Sequence, residues 1–561
     1  MGSPYHAVEA LKRVALFGKD MAAEGGHGHK RTRQSRMELH WGRLIRCYSD
    51  RPATVDVMFR GAVANDPESE AIVDGAMRLS YRDLNRRVDQ LAGGLTARGI
   101  HAGDRVALIL ANRVEAIVCV LAISRIGAVV VPIGTRLRRP EIEYIVADAQ
   151  ASALIYESAY ESELPRPDHG PASAMRFCVG PSQAGFASFD DLLVDSPVAP
   201  FASRSEEDLF GILYTSGTTG QPKGAMLTHL GAVHSALHWF ECLGLGHGER
   251  TLLCIPWSHV AGLCGVVLPF LQEGGRLVLM REFGRRAFLE LVAEEHFTHA
   301  LLVPAMYGLC LLEPDLKRFD LSSWRLGVYG SAPMPEATIR RFAEAVPHLV
   351  MCNAYGATET TSPATIMPPG DGIAHSESIG KVVPCGEIRV MDETSRELPP
   401  GEGGELWIAG PMVVPGYWRN DVANADSFAS GFWKSGDIGS IDADGYVCIA
   451  DRKKDMINRG GFKIYPAEVE NVLSEYQHVV EAAVVGRPDD ILGERVVAFI
   501  NATDPAITEQ AIREYCTTRL ADYKVPDRVV IGNQPLPRNA NGKIQKGELR
   551  KLAEALERPR Q

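Results

Sequence analysis

From Thr54 onward, continuous apolar runs alternate with segments whose apolar residues recur every three or four positions. The runs Arg105–Leu110, Ala128–Pro132 and Leu209–Leu213 lack the polar alternation of half-exposed strands. They predict buried strands of parallel sheets covered on both faces. Ser80-Tyr81-Arg82-Asp83-Leu84 opens a helical pattern that lasts through Leu95, and Glu115 to Ile126 carries another. Strand and helix in turn indicate an α/β architecture. Arg250–Pro256, Leu277–Met280, Ala300–Pro304 and Leu326–Pro333 are further runs, each ending in small or turn-forming residues. Ligands sit beyond the carboxyl ends of such strands, so these ends are candidate pocket walls.

The texture changes between 384 and 450, where glycine and proline punctuate short strands at Gly386–Met391, Gly404–Gly410 and Gly445–Ala450. That spacing predicts a small antiparallel sheet or barrel. Asp451-Arg452-Lys453-Lys454-Asp455 is a polar run suited to a linker. After it, Pro466–Leu473 and Thr508–Leu520 predict helices, and Val479–Val485 and Val496–Asn501 predict strands. The expected organisation is therefore an extension over 1–50, a large domain over 51–453 that includes the β-barrel-like subdomain 384–450, and a small α+β domain over 454–561.

Composition narrows the function classes. A formal net charge of −11 on 561 residues argues against a nucleic-acid binder. Eleven cysteines without a C-x-x-C pair suggest reduced, mostly buried thiols and a cytoplasmic protein. The longest apolar stretch, Val260 to Leu271, contains Pro269 and is too short to span a bilayer. The first 50 residues carry a basic patch (His27, His29, Lys30, Arg31, Arg33, Arg36) and weak helical spacing at Val8, Leu11 and Ala15. Glu9, Asp20, Glu24 and Glu38 spoil a transit-peptide reading, which leaves a flexible or peripherally docked extension.

The chemistry concentrates in Tyr214-Thr215-Ser216-Gly217-Thr218-Thr219-Gly220-Gln221-Pro222-Lys223-Gly224. It lies between the Leu209–Leu213 strand and a helical pattern from Thr228 to Phe240, with Thr228 as the cap. Glycines let a backbone approach an anion closely, and exposed N–H and hydroxyl groups donate to phosphate oxygens. The Walker pattern fails, because Pro222 stands five past Gly217 and Gly224 follows Lys223. The run instead closely resembles the signature loop of the adenylate-forming superfamily, which includes acyl-CoA synthetases, luciferases and nonribosomal adenylation domains. The resemblance covers about residues 55 to 550, with the motifs in the family's order. It places Ser216, Gly217, Thr218, Thr219 and Gly220 on ATP phosphates, and Thr215 and Lys223 in catalysis.

Asn353-Ala354-Tyr355-Gly356-Ala357-Thr358-Glu359 supplies a carboxylate suited to Mg²⁺, a flat ring and a hydroxyl. Alone it reads as a strand-to-helix turn. With the loop it matches the superfamily's second nucleotide motif, which implies Glu359 on magnesium and Tyr355, Gly356 and Thr358 at the nucleotide. The same resemblance implies Asp437 and Arg452 at the ribose and Lys454 as a hinge for a mobile terminal domain. It further implies Gly460 and Gly461 beside the pantetheine arm of coenzyme A, and Lys543 bridging the carboxylate and α-phosphate. The implied function is an ATP-dependent carboxylic acid–CoA ligase working through an acyl-adenylate. Its partners are a small carboxylic acid, ATP, Mg²⁺ and coenzyme A, with a homodimer left open.

No acid lies between Thr251 and Gln272 to pair with a substrate ammonium, which disfavours an amino acid. His259 resembles the gate residue of fatty-acyl and aryl-CoA synthetases, with a satisfied core histidine as the plainer reading. Tyr329, Gly330, Ser331 and Ala332 join it as the expected acyl or aryl pocket. Transfer to a separate carrier protein, and a non-catalytic nucleotide-binding regulator, stand as alternatives.

Overall fold

The computed structural model describes residues 33–166, 175–182, 184–195, 205–215, 221–538 and 544–556. Two compact units divide the chain. One comprises Met1–Met334, Thr338–Ile388 and Ile408–Trp433, the other Pro335–Ala337, Arg389–Trp407 and Lys434–Gln561.

The first unit carries two sheets. In one, the order is Lys223–Thr228, Leu209–Thr215, Val129–Pro132, Arg105–Ile109, Ala153–Glu157, Met175–Val179, Ala187–Ser188. Pairing is parallel throughout, except that Lys223–Thr228 runs antiparallel to Leu209–Thr215. The other has a parallel centre of Val350–Tyr355, Leu326–Gly330, His299–Leu302, Arg250–Leu253, Arg276–Leu279 and Glu70–Asp74. Helix Val114–Arg125 is buried on nearly all sides, as its almost wholly apolar sequence requires. Its last residue, Arg125, is held by Asp56 at 2.8 Å and Asp89 at 2.7 Å. Ser80 and Thr228 cap helices Tyr81–Ala97 and His229–Leu243 by accepting from Asp83 and Gly231 N–H groups, as those sequence positions lead one to expect.

Residues Ser35–His40 and Arg43–Tyr48 form an antiparallel hairpin around a Trp41-Gly42 turn, both residues at positive φ. Tyr48 anchors it: its hydroxyl donates to Glu241 at 2.6 Å and its N–H to His234 Nε2 at 3.1 Å. Arg51 bridges Glu38 and Glu206, and His40 meets Glu207 at 2.9 Å. Glu38, His40 and Cys47 lie close enough to hold a metal ion. Two features oppose one there: Arg51 already bonds the Glu38 carboxylate, and burial holds the Cys47 thiol up at about 12. The cluster reads as a latch for the hairpin. The His27/His29 pair lies outside the described residues.

This latch predicts acid sensitivity. Nδ1–H of His234 donates to Leu230 carbonyl at 2.9 Å, so Nε2 must stay unprotonated to accept from Tyr48. Burial holds this imidazole down at about 3, against an ordinary 6.5. Between those values the unfolded state binds a proton that the folded state refuses, so stability falls as pH drops, by roughly 1 kcal/mol per pH unit. Glu38, held at about 2 by Arg51, gives stability present above its ordinary 4.5 and lost as pH falls towards 2. The denaturant midpoint should therefore drop less between pH 7 and pH 5 in His234→Gln than in the wild type. An equal drop would place the acid sensitivity elsewhere.

In the second unit, strand Tyr446–Arg452 pairs antiparallel with Phe432–Ile441, most of which lies in this unit. The strands of the 384–450 region follow an open order, Glu387–Met391, Gly404–Ala409, Phe432–Ile441, Tyr446–Arg452. Of the two expected forms, sheet or barrel, the described residues show the open sheet. The long hairpin Val479–Asp489/Gly493–Ala502 is flanked by Arg528–Gly532, which runs parallel to the second strand. Val484, Val496 and Ala498 face one core with Val469 and Ile512, while Ala483, Val485 and Val497 face another with Leu549. Both faces are covered, which explains the apolar runs.

Candidate active site

Strand Leu209–Thr215 delivers Thr215 opposite Lys223, and the loop residues between them, Ser216 to Gly220, lie outside the described residues. The base of the hairpin is pinned by side chains. Tyr214 donates to Asp148 at 2.5 Å and Tyr144 to the Pro222 carbonyl at 3.1 Å. Burial pushes the Tyr214 phenol up, so it remains a donor at neutral pH. Segment 416–418 lies beside Lys223–Thr228, with Met226 N–H donating to Gly416 and Trp418 N–H to Gly224. A Cβ on Gly224 would stand 2.7 Å from Ile212, so this junction needs glycine.

That junction brings Tyr417 to the site. Its ring lies 5.2 Å from the Lys223 ammonium, and its hydroxyl donates to Glu359 Oε1 at 2.8 Å. Glu359 sits on the short turn Thr358–Thr360 that follows strand Val350–Tyr355. Ala357 N–H donates to Thr360 Oγ1, and Val414 N–H to the Glu359 carbonyl, both at 2.9 Å. Carboxylate and ring are both buried, at 9% and 5% exposure. Burial, reinforced by Glu359, pushes the Tyr417 hydroxyl up and keeps it a donor. An ammonium for anionic oxygens and an oriented carboxylate thus flank one phenol, beside the loop whose composition suits phosphate. Tyr355 and Gly356, both half-buried, precede this turn, and the Tyr355 carbonyl accepts from Ala364 at 2.8 Å.

His259 is half-buried at the start of Val260–Gly262. Its approach is clamped by Asn112, whose amide donates to Leu253, Ile255 and Met280 carbonyls and whose Oδ1 accepts from Trp257 N–H. A π-helical stretch, Leu263–Val267, follows, a feature often found near functional sites. The other expected pocket residues divide. Tyr329 is 1% exposed within the core that holds Leu302 and Met351, whereas Ser331 and Ala332 are exposed. A Cβ on Gly330 would stand 2.4 Å from the Ala354 carbonyl on the neighbouring strand. Enlarging Gly330 therefore disturbs the sheet before it can report on any acid.

In the second unit, Asp437 lies opposite Arg452 in strand register, with Nε–Oδ1 at 3.2 Å. Asp437 is buried and Arg452 exposed. Lys454 is exposed in the turn after that pair, where its carbonyl accepts from Arg550 at 3.4 Å; Arg550 also pairs with Asp455. Gly460 and Gly461 form the exposed tip of hairpin Ile457–Arg459/Phe462–Ile464, both at positive φ. Lys543 lies outside the described residues.

A family model described as AMP-binding enzyme matches residues 59–418, and one described as AMP-binding enzyme C-terminal domain matches 468–543. The chain belongs to the AMP-binding enzyme family. Among curated relatives, a long-chain-fatty-acid–CoA ligase of Mycobacterium tuberculosis is 34% identical, covering 88% of this chain and 97% of its own. A feruloyl-CoA synthase of Amycolatopsis is 36% identical, with coverages of 86% and 96%. Among solved structures, an anthranilate–CoA ligase in complex with anthranoyl-AMP superposes with a TM-score of 0.82 at 28% identity, covering 91% of this chain and 99% of its own.

Within this AMP-binding enzyme, sequence reasoning missed Tyr417 and the strand Lys223–Thr228 on which its pairing depends. Tyr417 is 58 residues from Glu359, and only Gly416-Tyr417-Trp418 within an apolar context marked it.

Proposed function

We propose that the protein is an ATP-dependent carboxylic acid–CoA ligase. The arrangement Lys223–Tyr417–Glu359, at the strand ends beside the phosphate loop, carries this reading. A substrate carboxylate oxygen attacks the α-phosphorus of ATP, the bond to pyrophosphate breaks, and acyl-AMP forms. The coenzyme A thiol then gives up its proton and attacks the acyl carbon; the carbon–oxygen bond to AMP breaks, and AMP leaves with the electron pair. The Lys223 ammonium offsets charge on phosphate oxygens, while Tyr417 holds Glu359 in one orientation. The Glu359 carboxylate, held by the Tyr417 hydroxyl, is a hard oxygen ligand of the kind that fits Mg²⁺. Glu359 would hold that ion, which supplies neutralisation of the triphosphate.

The relatives named for fatty-acid and feruloyl substrates support an uncharged acyl or aryl tail, and the apolar stretch after His259 agrees with it. In this reading Asp437 with Arg452 serves the ribose, Gly460 and Gly461 the pantetheine arm, and the terminal domain turns about Lys454. Eleven free cysteines support a cytoplasmic setting. A fatty acid–acyl-carrier-protein ligase of Streptomyces coeruleorubidus, 33% identical, favours a carrier protein as the second acceptor to assay. The test is pyrophosphate release across linear, branched and aromatic acids, with and without coenzyme A. Release that depends on an added acid, with thioester formed only when coenzyme A is present, is expected. Phosphate release without an acid requirement would sink the proposal.

A further inference from the structure

Thr215, Lys223 and Tyr417 stand on separate stretches of chain, yet each is one residue away from a bond to the same helix. That helix, Arg139–Asp148, is seated by Ile142, Ile145 and Val146 on a core that also holds Ile212 of strand Leu209–Thr215. Tyr144 and Asp148, four positions apart, share a second flank of it. Tyr214, just before Thr215, donates its hydroxyl to Asp148 Oδ2 at 2.5 Å. Tyr144 donates at 3.1 Å to the carbonyl of Pro222, the oxygen of the peptide group that enters Lys223. Trp418, just after Tyr417, donates from its indole Nε1 to the Asp148 carbonyl at 3.1 Å.

These bonds leave the three stretches little freedom. The Pro222 bond fixes the plane of the peptide group that leads into Lys223. Trp418 is held twice, by its indole to Asp148 and by its N–H to the Gly224 carbonyl at 2.7 Å, so Tyr417 is braced from both the helix and strand Lys223–Thr228. The rings of Tyr144 and Tyr214 meet edge to face at 6.4 Å, an aromatic pair that steadies both hydroxyls. The end of the helix is itself fixed. Arg105 donates from Nε to the Ala149 carbonyl at 2.8 Å and from Nη2 to the Gln150 carbonyl at 2.7 Å, where a cation also suits the helix dipole. Its guanidinium lies 5.8 Å from the Trp418 ring.

We propose that Tyr144 and Asp148 are positioning residues of the nucleotide site: one turn of helix Arg139–Asp148 sets where Thr215, Lys223 and Tyr417 stand relative to one another. They act through Tyr214, Pro222 and Trp418 rather than on the reacting atoms. That the aligned residues grip a triphosphate rests on the ligase reading; the bonds that align them do not. Charged and polar groups help a reaction only when held where charge develops, and a misplacement of about 1 Å costs on the order of 10²-fold. Tyr417 is also the donor to Glu359, so the alignment extends to that carboxylate. The segment before His259 is held instead by Asn112, through Trp257 N–H at 2.9 Å. Loss of the Tyr144 and Asp148 bonds therefore weakens the nucleotide side and spares the acid side.

The experiment uses the full-length protein with Tyr144→Phe, Asp148→Ala, Asp148→Asn and the double variant Tyr144→Phe/Asp148→Ala. ATP affinity is titrated by calorimetry with magnesium present. KM values for ATP and for the acid that gives the most pyrophosphate come from pyrophosphate release. ATP affinity should fall about tenfold in Asp148→Ala and further in the double variant. Asp148→Asn, whose amide oxygen still accepts from Tyr214, should recover it. KM for ATP should rise in step while KM for the acid stays at the wild-type value, a split that general loosening of the fold would not produce. Supplied acyl-adenylate should still become thioester at near-wild-type rates. Unfolding midpoints show which variants fold. Tyr144→Phe keeps the ring and removes one hydroxyl, so it carries the test if Asp148→Ala does not fold, with ATP affinity down about threefold. Wild-type ATP affinity in the folded variants, or equal rises in both KM values, overturns the proposal. A wild type that binds ATP but releases no pyrophosphate with any acid overturns the ligase reading alone, and the ATP affinities of the variants then decide the positioning role. A wild type that binds no ATP overturns both.

Discussion

Glu359→Ala lowers adenylate formation ~10²-fold or more for every acid substrate, the scale expected when one fixed electrostatic contact to a transition state is lost. The loss is common to all acids because Glu359 serves the nucleotide side of the reaction. The alanine variant carries a second defect, since it strips the buried Tyr417 hydroxyl of its acceptor, at a cost of about 1–3 kcal/mol. Glu359→Gln separates the two effects: its amide oxygen still accepts from Tyr417, but the carboxylate charge is gone. The glutamine variant should keep a near-wild-type unfolding midpoint and still lose adenylation, most severely at limiting magnesium. Tyr417→Phe gives the complementary result, because the ring stays under Lys223 while the hydroxyl is removed. Its adenylation should fall about tenfold, with a raised magnesium requirement. Pyrophosphate release measured across magnesium concentrations decides the matter. A Glu359→Gln enzyme with wild-type rates at limiting magnesium would remove Glu359 from the site.

Tyr417 shows where sequence reasoning stops. Buried parallel strands such as Arg105–Ile109 and Val129–Pro132 were legible because burial on both faces leaves an unbroken apolar run. The nucleotide motifs were legible because each is contiguous. The site they serve, however, is completed by the approach of 416–418 to Lys223–Thr228, and nothing local in either segment announces the other. Lys223–Thr228 reads as the tail of a glycine-rich loop and becomes a strand only through pairing with Leu209–Thr215. The hairpin Ser35–Tyr48 was hidden differently. Its period-two pattern, Met37, Leu39 and Leu44 around Trp41-Gly42, was masked by the surrounding charges, of which Glu38 is tied by Arg51 into its latch. Gly330 teaches the converse lesson. A small residue at a strand end suggests a pocket wall, but its smallness is required here by the Ala354 carbonyl of the adjacent strand.

Lys543→Ala and Gly461→Leu should damage opposite halves of the reaction. The family resemblance gives Lys543 to adenylate formation and the Gly460-Gly461 tip to thioester formation, although both fall in the second unit. Two elements given to different steps call for two poses, so the proposal requires reorientation about a pivot. Within the second unit, contacts cross the proposed pivot at Lys454, since Asp451 accepts from Ala467 N–H at 2.8 Å and Lys463 meets Glu393 at 2.9 Å, and the proposal requires these to break. Before Lys454, Asp437 and Arg452 are tied by strand register and an ion pair. After it, Asp455 is tied to Arg550 on the last helix, Lys546–Ala555. The glycine tip is open, with no heavy atom within 4 Å of a Cβ at Gly461, and φ there is +89°. A leucine therefore meets backbone strain of about 1–2 kcal/mol but no clash, and the hairpin survives to be assayed. Lys543→Ala should lose adenylation ~10²-fold while still converting supplied acyl-adenylate to thioester. Gly461→Leu should release pyrophosphate at near-wild-type rates while thioester output falls about tenfold or more. Lys454→Pro, which fixes φ at the pivot, should slow the coupled reaction more than either half measured alone. The assay runs each half-reaction separately in all three variants. Equal impairment of both halves by Lys543→Ala and Gly461→Leu would mean that the two elements act in one step, and the pivot would have no work to do.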